Sequence, residues 1–134
     1  MQPLVVVAGA LIAAGDQGST VLAARKAGDG PEAAKWELPG GKVAEGENER
    51  EALVRELREE LGIDVQVVDR LGADVELPDS MVLRAYLVRA TDDPAPTEHD
   101  QLRRLGPAEL DSIDWLAADR ALLPALKAVL TEGS

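Results

Sequence analysis

The chain has no cysteine and no phenylalanine, and only two tryptophans, one tyrosine and one histidine among its 134 residues. Without cysteine, a disulfide framework, a thiolate zinc site and a Cys nucleophile are all excluded. With so few rings, the core must be built from Val, Leu, Ile and Ala. Basic residues are scarce too: 14 Lys and Arg against 25 Asp and Glu give a formal net charge of −11. That balance argues against a nucleic-acid polymer as partner, because such binders carry clustered Lys and Arg. Long apolar runs are also lacking. The longest, residues 4–15 (LVVVAGALIAAG), is too short to cross a bilayer, and no positively charged segment precedes it as in a signal peptide. No membrane partner and a cytoplasmic location are therefore expected. The length suits one domain, 1–134.

The hydrophobic pattern predicts strands at residues 4–13 and 20–25, joined by the turn signal Gly15-Asp16-Gln17-Gly18. Pro39-Gly40-Gly41 is expected to lack regular structure. A helix is predicted over 47–61, with Val54, Leu57 and Leu61 as its apolar stripe and Gly62 as its C-cap. Further strands are expected at 65–68, 73–77, 81–88 and 101–105. A helical turn begins at Pro107, and a terminal helix is expected over 118–130. Residues 26–35 and 92–97 read as loops. Strands and helices in this mixed order predict an α/β fold with a mixed sheet covered on both faces.

The predicted helix carries Glu56, Glu59 and Glu60, which share one face at spacings of three and four. Like charges so placed repel, and either arginine neighbours or a hard divalent cation compensate. Arg50, Arg55 and Arg58 support the plain reading, a solvated face laced with ion pairs. The surroundings favour the cation. Gly40-Gly41 stands just upstream, where bare backbone approaches a ligand or offers a carbonyl, and Glu47 lies at the helix start.

Gly41, Glu47, Arg55, Glu56, Leu57, Glu59, Glu60, Gly62 and Ile63 together resemble the signature of the Nudix hydrolases, with no departure at nine specified positions over 23 residues. The segment from Trp36 to Lys42 is similar to that preceding the signature in MutT-like members. The resemblance implies an α/β/α sandwich that hydrolyses a nucleoside diphosphate linked to another group. It implies Mg²⁺, or Mn²⁺, bound by Glu56, Glu59, Glu60 and the carbonyl of Gly40, with Glu98 reaching in from a later loop. It also implies that one of the three glutamates, such as Glu56, orients or deprotonates the attacking water. Arg55 would pair with Glu47 in a structural role, and Arg25 would contact substrate phosphates. For a triphosphate the products would be a nucleoside monophosphate and pyrophosphate. A strongly negative protein needs cations to hold so negative a substrate.

The expected substrate wall comprises Arg25, Glu37, Leu38, Gly40, Gly41, Arg84, Tyr86 and Asp119. MutT-like members carry an Asn near the start of the last helix, where this chain has Asp119. A carboxylate accepts hydrogen bonds and suits an amine such as that of cytosine; it suits the carbonyl of oxidised guanine poorly, though it can accept from a ring N–H. Together with Arg84-Ala85-Tyr86, this is similar to the CTP pyrophosphohydrolase branch. CTP or dCTP, including 5-methylated forms, is therefore expected first and oxidised purine triphosphates such as 8-oxo-dGTP second. Structural readings stand beside these: Tyr86 as a packed ring, Asp119 as an N-cap, Trp36 as a loop anchor, and Arg25 and His99 as surface residues. An ADP-ribose or sugar-nucleotide pyrophosphatase is a further alternative, marked by Pro78 fifteen residues past Ile63. A non-catalytic nucleotide sensor is another. Either a monomer or a homodimer is compatible with the sequence.

Overall fold

The computed structural model describes residues 4–15, 18–26, 30–90 and 99–132, with the side chains of 99–101 and 132 excepted. Strand β1 (Leu4–Gly15) is central. It pairs antiparallel with β2 (Gly18–Lys26) and β4 (Gly40–Lys42), and parallel with β6 (Met81–Ala90). Strand β3 (Trp36–Glu37) and β7 (His99–Leu105) pair with β2, and β5 (Val65–Leu77) pairs with β6 at the sheet edge. The sheet is therefore mixed, as the order of elements predicts.

Side chains alternate across β1 and β6, which divides the core into two layers. Val7, Leu11, Tyr86 and Val88 face α1 (Glu49–Leu61) and meet its Leu53, Leu57 and Leu61. Ala8, Ala10, Leu83 and Ala85 face the opposite way. They pack beneath a 3₁₀ helix (Pro107–Ser112), α2 (Ala117–Arg120) and α3 (Leu123–Glu132); Leu126 and Leu130 of α3, with Leu122 just before it, fill that layer. Trp36 and Trp115 lie in this second layer, joined by a backbone bridge. The result is the expected α/β/α sandwich. Among the described residues no helix is long and apolar enough to cross a membrane.

The expected boundaries change in five places. First, α1 starts at Glu49 rather than Glu47, because Asn48 and Glu51 form a reciprocal capping box: the Glu51 N–H donates to Asn48 Oδ1 at 2.8 Å, and the Asn48 N–H to Glu51 Oε1 at 2.9 Å. Gly62 ends the helix at φ 68°, as expected. Second, the buried stripe runs through Leu53, Leu57 and Leu61, while Val54 is half-buried. Third, residues 65–68 and 73–77 form one strand, carried through bulges past Gly72. Fourth, the terminal helix breaks after Arg120 and resumes at Leu123, beside Pro124, which cannot continue a hydrogen-bond ladder from the preceding turn. Fifth, Gly40-Gly41 is not irregular. It forms β4 because β1 passes so close that a Cβ on Gly40 would stand 1.9 Å from the Val7 carbonyl oxygen.

Leu57 is fully buried between the sheet and the rest of α1. Leu57→Ala is expected to cost about 2–5 kcal/mol, and Leu57→Met less than about 1.5 kcal/mol. Urea denaturation of the two variants checks the difference.

Candidate active site

Strand β4 and α1 meet at Gly41. A Cβ on Gly41 would lie 2.4 Å from the Glu56 carboxyl carbon, so the Glu56 carboxylate rests directly on bare backbone. Arg55 fixes this contact. Its Nε donates to Glu47 Oε2 at 2.7 Å and its Nη2 to Glu47 Oε1 at 3.0 Å. Nη2 also donates to the Lys42 carbonyl at 3.1 Å, while Nη1 reaches Glu56 Oε1 at 3.0 Å and Glu59 Oε2 at 3.2 Å. One planar guanidinium thus ties the loop, β4 and two helix carboxylates together. It holds the Glu47 carboxyl below the ordinary carboxylate range, helped by the Ala44 N–H. Glu47, and after it Glu56, raise the pKa of Arg55 against the opposing effect of burial.

Glu60 lies on the same helix and is only 6% exposed, an expensive place for a carboxylate with no functional reason to be there. Glu59 is outermost, with 56% of its side chain exposed. Arg55 stands between Glu56 and Glu59, and among the described residues no three His, Cys, Asp or Glu side chains surround a common point. The donor set nevertheless fits a hard cation. It offers oxygen alone, one carboxylate is pinned to a glycine cradle, one is buried, and one is on an exposed side chain that can change rotamer. Glu98 lies outside the described residues.

On the other side of β4 a cavity of about 610 Å³ opens beneath α2. Of the expected wall residues, Glu37, Leu38, Gly40, Gly41 and Asp119 line it. Asp119 is 5% exposed and accepts from the Leu38 N–H at 2.9 Å. It is therefore not a helix N-cap; Leu116 holds that position in α2. Burial drives the Asp119 pKa up to about 7, against the opposing pull of the Leu38 N–H. Glu37 nearby raises it further.

Three expected wall residues stand elsewhere. Arg25 lies on β2 opposite Trp36 and is not among the lining residues. Arg84 and Tyr86 point to the opposite face of the sheet, because cavity-lining Met81 and Leu83 take the other parity on β6. There the Tyr86 hydroxyl and Arg84 Nη1 donate to Glu49 Oε1 and Oε2, both at 2.5 Å. Burial raises the pKa of Tyr86, and its bond to Glu49 adds to the shift. Trp36 is buried as a loop anchor, with Arg103 5.9 Å from its ring centroid. The sequence reading did not assign Lys26 and Lys42, which line the cavity. Lys26 pairs with Glu32 at 3.1 Å, and that bond raises its pKa. Lys42 directly follows the double glycine, which is the signal that marks it.

A carboxylate helix clamped to a double-glycine strand, with a nucleotide-sized cavity beyond the strand, is an arrangement suited to hydrolysis of a phosphoric anhydride. The NUDIX domain family model matches residues 3–130, and the chain belongs to the Nudix hydrolases. It is 45% identical over 130 residues to a putative 8-oxo-dGTP diphosphatase 2 of Mycobacterium tuberculosis, covering 94% of this chain and 89% of that protein. It is 32% identical over 112 residues to the CTP pyrophosphohydrolase of Escherichia coli (strain K12), covering 81% and 83%. A MutT NUDIX hydrolase from Burkholderia pseudomallei superposes with a TM-score of 0.78 at 28% identity, covering 94% of this chain and 99% of that one. The family's use of divalent metal ions agrees with the oxygen donor set.

Two predictions arise here. Gly41→Ala is expected to leave the fold intact, since the obstructing atoms end a flexible side chain, yet to displace Glu56 and lower turnover by about 100-fold. Steady-state kinetics beside a thermal melt check this. Asp119 binds its proton more tightly in the folded chain than in the unfolded one, so stability falls as pH rises from about 4 to about 7. Asp119→Asn should flatten that slope, read as urea midpoints across the same window.

Proposed function

We propose that this protein hydrolyses nucleoside triphosphates to the monophosphate and pyrophosphate, with Mg²⁺ or Mn²⁺ as cofactor, and favours oxidised purine deoxynucleotides such as 8-oxo-dGTP. The observation that carries this reading is one double glycine lying between a cavity of nucleotide size and a clamped set of carboxylates. A base in the cavity would send its phosphates past Gly40 and Gly41 toward α1.

Glu56, Glu59, Glu60 and the Gly40 carbonyl are the groups proposed to hold the cation. When bound, it supplies charge neutralisation for the polyphosphate and makes water a better nucleophile near neutral pH. The chain's own residues do the positioning that phosphoryl transfer chiefly requires. Arg55 orients Glu56, the glutamate proposed to orient or deprotonate the water that attacks the β-phosphorus. Lys26 and Lys42 offset the phosphate charge from the cavity side.

Base preference follows from two acceptors in the wall, Glu37 and Asp119. Cytosine presents one amine beside acceptor atoms. Guanine presents a ring N–H beside its amine, and oxidation adds another ring N–H. Glu37 and the ionised form of Asp119 therefore suit oxidised guanine better, which reverses the order expected from sequence. The relative with 45% identity supports this order. Cytidine triphosphates are the second reading, favoured by the E. coli relative and by the fit of one carboxylate to one amine.

Pyrophosphate and monophosphate release should be measured with Mg²⁺ on 8-oxo-dGTP, dGTP, CTP, dCTP and ADP-ribose. The expected outcome is the highest kcat/KM on 8-oxo-dGTP. Faster turnover of dCTP favours the second reading, and a preference for ADP-ribose overturns both. Absence of any turnover by the folded protein points to a sensor. Glu60→Gln should lower kcat by about 100-fold or more, beyond the usual cost of losing an outer-shell partner. Without metal its melting temperature should equal or exceed that of the wild type, because a buried charge is removed.

A further inference from the structure

Helix α1 must present its carboxylates at a fixed height and rotation, yet most of its seat on the sheet is apolar. Leu53 and Leu57 pack over Gly9, where a Cβ would come within 3.0 Å of Leu57 Cδ1. Such contacts are strong but non-directional, and they resist sliding poorly. Arg55 fixes the helix to the loop in its middle. At its first turn a second set of directed bonds fixes it to the sheet.

Glu49 is the centre of that set. Tyr86 and Arg84, both on β6, each donate to one of its oxygens at 2.5 Å. Asp74 on β5 accepts from Arg84 Nε at 3.1 Å and also pairs with Arg70, whose guanidinium lies 5.6 Å from the Tyr86 ring centroid. Two arginines and two carboxylates balance in charge, and the tyrosine ring is 7% exposed. Buried or half-buried ion pairs add little stability over apolar packing of the same volume. What they add is direction. Glu49 stands seven residues before Glu56, two helical turns along nearly the same face, so a shift at Glu49 is carried rigidly to Glu56 and Glu60.

We propose that Tyr86 and Arg84 are positioning residues: by gripping Glu49 they set the height and rotation of α1, and hence where Glu56 meets Gly41 of β4 and where Glu60 stands on the same helix. The proposal rests on the reading of those glutamates as cation ligands. It differs from the sequence expectation that Tyr86 and Arg84 touch substrate. The two roles separate in measurement, since a positioning residue acts on metal affinity and turnover, and a substrate contact acts on KM.

The test uses the full chain and Mn²⁺ alone, titrated by electron paramagnetic resonance of the free ion without nucleotide. Kinetics and thermal melts run alongside. Tyr86→Phe keeps the ring and removes one bond to Glu49. It should weaken Mn²⁺ binding about tenfold and lower kcat to a similar degree, with KM for nucleotide within about twofold of wild type. Glu49→Gln, which leaves Tyr86 in place, carries the same expectation should Tyr86→Phe fail to fold. Folded variants with unchanged Mn²⁺ affinity overturn the proposal, as does a raised KM at unchanged Mn²⁺ affinity. Failure of the wild type itself to bind Mn²⁺ overturns the cation reading, and this proposal with it.

Discussion

Arg55 is the constraint on which the site depends. Its guanidinium meets Glu47, Glu56, Glu59 and the Lys42 carbonyl, which belong to a loop, a helix and a strand end. A chain of net charge −11 would otherwise let those carboxylates repel one another and drift apart. A lysine could not replace it, because a point charge lacks the planar fork that satisfies several acceptors at once. The clamp works only because Gly41 has no side chain, so that Glu56 can settle against backbone. Cation and glycine are a single device, and neither explains the site alone.

Much of this was legible in the sequence. The spacing of Glu56, Glu59 and Glu60 on a helix closed by Gly62 follows from helical periodicity and cap chemistry. The pairing of Arg55 with Glu47 was implied by resemblance and is present in the structure. The two-layer core follows from alternation along β1 and β6. What sequence could not show was parity and depth. Arg84 and Tyr86 sit on a predicted strand, but which face they take depends on register against β1, where Val7 lies opposite Arg84. A one-residue slip would have turned both toward the cavity.

Asp119 illustrates depth. Near a helix start, Asp commonly caps, and that reading is local. Here tertiary packing turns this α2 side chain inward to receive the Leu38 N–H, eighty-one positions away in sequence. Its raised pKa is a consequence of that burial, which no local pattern encodes. Gly40 was misread for a related reason. Pro-Gly-Gly signals a break by propensity, yet the nearness of β1 makes glycine the one residue that can pair there.

The parallel pairing of β1 with β6 has a further consequence, for folding. Leu4 aligns with Met81, so β1 cannot take its parallel partner until every element between it and β6 has been synthesised. Local hairpins such as β5–β6 close early, whereas this contact carries the entropy of a long loop. During translation the apolar face of β1 must wait, and it is this stretch that a nascent chain would offer to chaperones or to aggregation.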